Sequence, residues 1–192
     1  MGDFEFEMEP LTDEWASGYR GTVGPFGSVN VCSKISKPGE ESTRQVVLEG
    51  SQFPDTLFSG GVGVMPSLDG GWLKVDGSLV GMDSKVTGIR KGSRWLELVH
   101  RERHYLYTSA GETREARLHR EGSTVTLDRG RFVSHVGGFR MGKAEGDVDT
   151  TDLAIALVLE EVDRSALSIT GALFAIPRNV LFGRQRDEGQ AP

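Results

Sequence analysis

The stretch DTTDLAIALVLEEVD, residues 149–163, carries seven apolar residues in unbroken succession, Leu153 to Leu159. Successive residues of an α-helix step round its axis by about 100°, so such a run covers every face of two turns. A helix apolar on all sides is stable only where all of those sides are covered. A bilayer is ruled out as the cover by length, since a span needs roughly 20 apolar residues. Here Glu160 and Glu161 end the run, and the next apolar stretch, ALSITGALFAIP at 166–177, is closed by Pro177. Thr150 and Thr151 are suitable caps and Asp152 suits the positive end of the helix dipole, which predicts a helix over 151–164. The rest of the chain has to build the enclosure.

The residues before the helix suit that task. From Arg94 the chain reads RWLELVH, HYLYTS, TREARLH, STVTLD and RFVSHV, separated by RER, AGE, REG and RG. Runs of that length between turn signals predict a meander of antiparallel strands over 94–136. Ala116 and Leu118, then Val125 and Leu127, alternate with charged or hydroxyl residues, so one face of the meander looks inward. Upstream, WLKV and SLVG flank Asp76-Gly77, a pair that tolerates positive φ and predicts a hairpin. YRGTVG, SVNVCSKIS and TRQVVLEG read as further strands and KPGEES as an exposed loop. Glycines and prolines break any period over 53–71, which reads as a long loop or an irregular strand pair; GFRMGKAEGDVD, 138–149, reads as a linker.

The expectation is a single β-rich (α+β) domain over 1–180, with about ten antiparallel strands curled or closed into a barrel round the C-terminal helix, because a flat sheet covers only one side of such a helix and leaves two edges. Residues 181–192 read as a polar, disordered tail. On this reading, Asp in place of Ile155 or Leu157 abolishes folding. The meander followed by TTDLAIALVLEEVD resembles the layout of the tubby, phospholipid scramblase and LURP-one-related superfamily, in which a many-stranded barrel wraps a hydrophobic C-terminal helix. The resemblance is one of layout and spans about half of the chain. It implies contact with lipid or phosphoinositide, or a scaffold role.

At 192 residues the chain is long enough to bury a core without a disulfide or a metal. Cys32 is the only cysteine, which favours a reducing compartment. Asp3, Glu5, Glu7 and Glu9 stand where a secretory signal would be basic, and Phe6 stands where a myristoylation site would have Ser or Thr. These features predict a cytoplasmic protein without a lipid anchor. The net charge of −6 is unevenly spread: residues 1–84 carry −8, residues 85–143 carry +7 and residues 144–192 carry −5. A basic middle between acidic ends reads either as charge neutralised inside the fold or as a basic face for phosphate or anionic lipid headgroups.

The basic middle supplies the candidate site. Arg94, Arg101, Arg103, Arg114, Arg117 and Arg120, with Arg129 and Arg131 beyond them, lie in or beside successive strands, and arginine binds phosphate through a planar fork of donors. A rim of these residues is the expected ligand-binding surface, with a protein partner as the alternative occupant. Trp95, Tyr105, Tyr107 and Phe132 interleave with the arginines as in nucleic-acid binders, but aromatic residues in strands are commonly core, and a net charge of −6 repels a polyanion. An enzyme is the competing class: His100 and His104 flank the turn RER and face each other if that turn is three residues long, with Glu102 between them. Neighbouring arginines oppose a metal there. SGGVGV near Gly60 fails as a phosphate loop because Pro66 takes the place of the third glycine. No nucleophile elbow, zinc-protease or Cys-His signature is present, so the expectation is a binding module without cofactor or metal.

Overall fold

The structure is a computed structural model. It describes residues 2–12, 16–35, 44–60, 66–68, 70–86, 94–109, 115–133, 137–163 and 167. Twelve strands run in chain order: Phe4–Thr12 (β1), Ala16–Thr22 (β2), Ser28–Ile35 (β3), Arg44–Glu49 (β4), Thr56–Ser59 (β5), Trp72–Val75 (β6), Ser78–Val86 (β7), Arg94–His100 (β8), Arg103–Ser109 (β9), Glu115–Arg120 (β10), Ser123–Val133 (β11) and Gly137–Gly146 (β12). Each pairs antiparallel with its neighbour in sequence, and β1 pairs with β12, so the sheet is a closed barrel. The helix, Thr150–Glu160 (α1), touches β4 and β5 on one wall and β10 and β11 on the other. In the ring of twelve these two pairs are diametrically opposite, which places α1 inside the barrel.

All residues from Asp152 to Val162 are buried. Burying each of Leu153, Ile155, Leu157, Val158 and Leu159 contributes about 1.5–3 kcal/mol against leaving it in water. The wall meets the helix with Val46, Leu48, Phe58, Leu73, Leu98, Tyr107, Leu118, Val125 and Leu127, the inward members of their strands. Among the described residues no helix is long and apolar enough to cross a membrane.

The two ends of the barrel differ. Two-residue turns at 76–77, 101–102 and 121–122 gather at one end, where α1 begins. Asp76 and Gly77 take the positive φ values of 47° and 72° expected of their hairpin. Arg101 and Glu102 also have positive φ, 47° and 68°, at a cost of about 1–2 kcal/mol per residue for side chains with a Cβ.

The expected barrel of about ten antiparallel strands round the C-terminal helix forms, with twelve strands among the described residues. Finer expectations are corrected: β1 was not among the expected strands, β12 was read as a linker, and Thr56–Ser59 is a regular strand within 53–71. STVTLD and the RFV of RFVSHV are one strand, β11, with a register shift between Arg129 and Phe132; the rest of RFVSHV lies outside the described residues. The helix cap is Asp149, whose carboxylate accepts from the Thr151 and Asp152 amides while Asp152 reaches back to the Asp149 amide, and the helix ends at Glu160 rather than 164. The domain boundary at 180 and the segment 181–192 lie outside the described residues.

Candidate functional site

At the tight-turn end, charge gathers over the start of α1. Arg120 Nε donates to both oxygens of Asp152, at 2.8 and 3.0 Å, while its terminal nitrogens donate to the carbonyls of Glu121 (3.1 Å) and Asp147 (2.6 Å). Ser123 Oγ donates to Asp152 as well, at 3.1 Å. Arg103 forms an ion pair with the cap residue Asp149. Burial pushes the Asp149 carboxyl up, but the hydrogen bonds from Arg103 and from the Asp152 and Thr151 amides outweigh it, and the net direction is down. Arg101, at the tip of the adjoining turn, lies 3.5 Å from Asp76, with both side chains largely in solvent.

Beneath these arginines, His100 and Tyr105 face the interior. Both are buried, and neither ring nitrogen of His100 has a hydrogen-bond partner among the described residues. Burial, followed by the positive charge of Arg101, lowers the His100 pKa. The Tyr105 hydroxyl is pushed up to about 12, by burial first; the Arg103 guanidinium is near enough to oppose the shift electrostatically.

The structure places the expected site residues unequally. It brings Arg101, Arg103 and Arg120 to one end, with Arg120 enclosed as a clamp between a turn, the β12–α1 connection and the helix. Arg117 projects from the outer wall and pairs with Glu115 at 3.1 Å. Arg114 and the side chain of Arg94 lie outside the described residues, as does that of Arg131. Tyr105 and Tyr107 are interior, and Trp95 donates to Glu97, so these aromatics offer no stacking row between the arginines.

The proposed set of His100, Glu102 and His104 is not assembled. The turn has two residues, so His100 pairs with Arg103 and Val99 with His104. His100 points inward and His104 outward, as alternation along a strand requires. Among the described residues no group of three acidic, histidine or cysteine side chains is placed to hold a metal ion.

A second polar cluster surrounds the end of α1 and takes Arg129, expected on the basic rim, as a clamp on the helix; Arg140, Glu160 and Glu161 were not among the expected site residues. Arg129 Nε donates to Glu160 Oε1 at 2.6 Å and its terminal nitrogen to the Glu160 carbonyl at 2.7 Å. Arg140 donates to Glu161 at 3.2 Å and stacks its guanidinium 4.0 Å from the centre of the Tyr19 ring. Two arginines at the negative end of the helix dipole offset both the dipole and the two carboxylates that follow each other there. A narrow cleft lies between Met8, Tyr19 and Val31 on the wall and Leu157, Glu160 and Glu161 on the helix. The signal for this cluster was the adjacent pair Glu160-Glu161 at the end of an apolar helix, since such buried acids require cations.

Burial raises the pKa of Glu161, and Glu160 adds to the shift against the opposing Arg140. A carboxyl whose folded pKa exceeds its unfolded one is protonated more readily in the folded state. Stability therefore falls as pH rises from about 4.5 through the folded pKa, and the cost persists at neutral pH. Glu161→Gln is expected to melt higher than the wild type at pH 7, with the gap closing on acidification; thermal melts across the acid range measure it.

These clusters tie the helix to the wall at both ends. What the arrangement offers to other molecules is on the outside of the barrel and at the Arg101–Arg103 turn. A comparison of the chain with protein-family models, curated proteins and solved structures finds no match.

Proposed function

We propose that this protein is a non-catalytic binding domain that works through the outside of its barrel, with phosphate-bearing ligands or anionic lipid headgroups as its contacts. The observation that carries this reading is the filled lumen: the chain's own helix occupies the space in which barrels of this size hold ligands. The enclosed C-terminal helix also supports a relationship of layout to the tubby, scramblase and LURP-one-related superfamily. The single cysteine supports a cytoplasmic location.

Within the arginine set the contact narrows to Arg101 and Arg103. Arg120 is committed to Asp152, whereas the side chains of Arg101 and Arg103 are 59% and 43% exposed beside one short turn. An exposed ion pair such as Arg101–Asp76 contributes about 0–1 kcal/mol, so a phosphate displaces it at little cost. The protein is expected to sediment with phosphatidylserine vesicles at low salt and to be released as salt shortens the Debye length from about 30 Å toward 8 Å. Arg101→Ser combined with Arg103→Ser weakens retention; Arg101→Ser alone leaves the Arg103–Asp149 contact intact and separates lost binding from lost stability. Equal retention on phosphatidylcholine, or none on either, overturns the phosphate reading and leaves a protein partner as the contact.

A further inference from the structure

The closed barrel leaves no unpaired strand edge, so association with another chain by strand addition is closed off and a face of the wall is the extended surface left for it. Large apolar side chains are exposed side by side on the outer face of β6–β9: Trp72, Leu79, Val99 and Leu106, with Leu79 as much as 65% exposed. At their centre is Gly81, in the middle of β7 and paired with Val99. Nothing in the fold calls for glycine there. Its backbone lies outside the left-handed region, and a Cβ would meet nothing closer than the Val99 carbonyl at 3.6 Å, an ordinary contact. Glycine within a strand weakens it, and where the fold does not need one it marks the close approach of another surface.

Charge on this face is arranged about the same point. Lys74 pairs with Leu79, two residues before Gly81, and Glu97 pairs with Asp83, two residues after it on the opposite neighbouring strand. Gly81 is therefore the midpoint between the cation of Lys74 and the anion of Glu97, both projecting outward, since Leu73 and Val75, like Leu96 and Leu98, are buried; Asp83, exposed on the same face, is offset by its ion pair with Lys85. Lys74 lies over the Trp72 ring, 4.9 Å from its centre, and Glu97 accepts from Trp95. A face built for an anionic membrane would set cations alone round its apolar residues. Opposite signs at equal offsets from a bare centre are the signature of a surface that complements itself.

We propose that this face is the interface of a homodimer, in which two copies pack wall to wall about a two-fold axis that passes through Gly81 in the plane of contact. With the axis at right angles to the line from Lys74 to Glu97, Lys74 of each copy meets the partner's Glu97. The two copies of Gly81 then face each other on the axis, where neither presents a side chain to hold the walls apart, and Trp72 falls along the partner's β7 beside the partner's Asp83. A buried tryptophan rimmed by ion pairs is a common centre of binding energy. The inference is independent of the phosphate reading, which concerns the Arg101–Arg103 turn.

Sedimentation velocity of the full chain across a concentration series tests it. The wild type is expected to dimerise in the micromolar range. Lys74→Glu and Glu97→Lys, each of which sets like charges opposite one another twice, are expected to weaken the dimer by about tenfold or more while melting as the wild type does at concentrations below the dimer range. Mixing the two variants restores association, because each of the two contacts in the mixed dimer is again between opposite charges. Leu79→Asp, at a position exposed in the monomer, is a second variant expected to yield monomers. A wild type that stays monomeric throughout, single variants that dimerise as the wild type does, or a mixture that remains monomeric would each overturn the proposal.

Discussion

Ile155→Asp is expected to leave the chain without a cooperative fold. Ile155 is fully buried on a helix that touches opposite walls of a closed barrel, so a carboxylate there has neither a route to solvent nor a cation beside it. The groups that neutralise buried acids, Arg120, Arg129 and Arg140, are at the two ends of the helix, bound to Asp152, Glu160 and Glu161. An unpaired charge in an apolar interior costs more than the ~5–15 kcal/mol by which a domain is stable. Leu157→Asp is expected to do the same, although Leu157 borders the cleft near Arg140. Circular dichroism and a urea titration check the outcome; a soluble Ile155→Asp protein that unfolds in a single sharp transition would refute the enclosed helix.

Arg120→Leu is the second large effect, expected to destabilise by about 3–5 kcal/mol, the usual cost of removing one member of a buried ion pair. Asp152 is 1% exposed and would be left with hydrogen bonds from Ser123 and from the Asp149 amide, and with Arg103, 3.9 Å away and shared with Asp149, as its remaining cation. The carbonyls of Glu121 and Asp147 would lose their donors at the same time, loosening the connection from β12 into the helix. Arg120→Lys keeps the charge but not the fork that serves three partners, and falls between the two. Arg117→Leu is the contrast, since its pair with Glu115 is exposed; denaturant midpoints for the three variants should rank Arg117→Leu nearest the wild type.

Several of the elements were legible because their signals are local. The Asp76-Gly77 hairpin needs only a two-residue preference for positive φ, and the inward positions of Ala116, Leu118, Val125 and Leu127 follow from a period of two. β1 was legible in principle, since Phe6 and Met8 face inward between Glu5, Glu7 and Glu9. β12 was not, because its pattern is inverted. Phe139 and Met141 face outward while Gly138, Gly142 and Ala144 face the interior, where the Phe6 ring lies directly on Gly142 and leaves no room for a side chain. The histidine pair turned on a single residue: a three-residue turn would set His100 opposite His104, and the two-residue turn that forms sends them to opposite faces.

The sequence by itself determined that residues 153–159 must be enclosed, because seven consecutive apolar residues leave a helix no face for water, and that the enclosure is a sheet, because strand periodicity fills the chain before it. The tertiary structure alone decided what the basic middle does. Whether an arginine is a ligand or a clamp depends on which acid the closed barrel brings beside it, and those acids, Asp152 for Arg120 and Glu160 for Arg129, come from a helix some thirty residues away. Local pattern carries burial, which is a property of each element's own surface. Charge pairing belongs to two surfaces at once, and becomes defined only when β1 meets β12 and the ring closes round the helix.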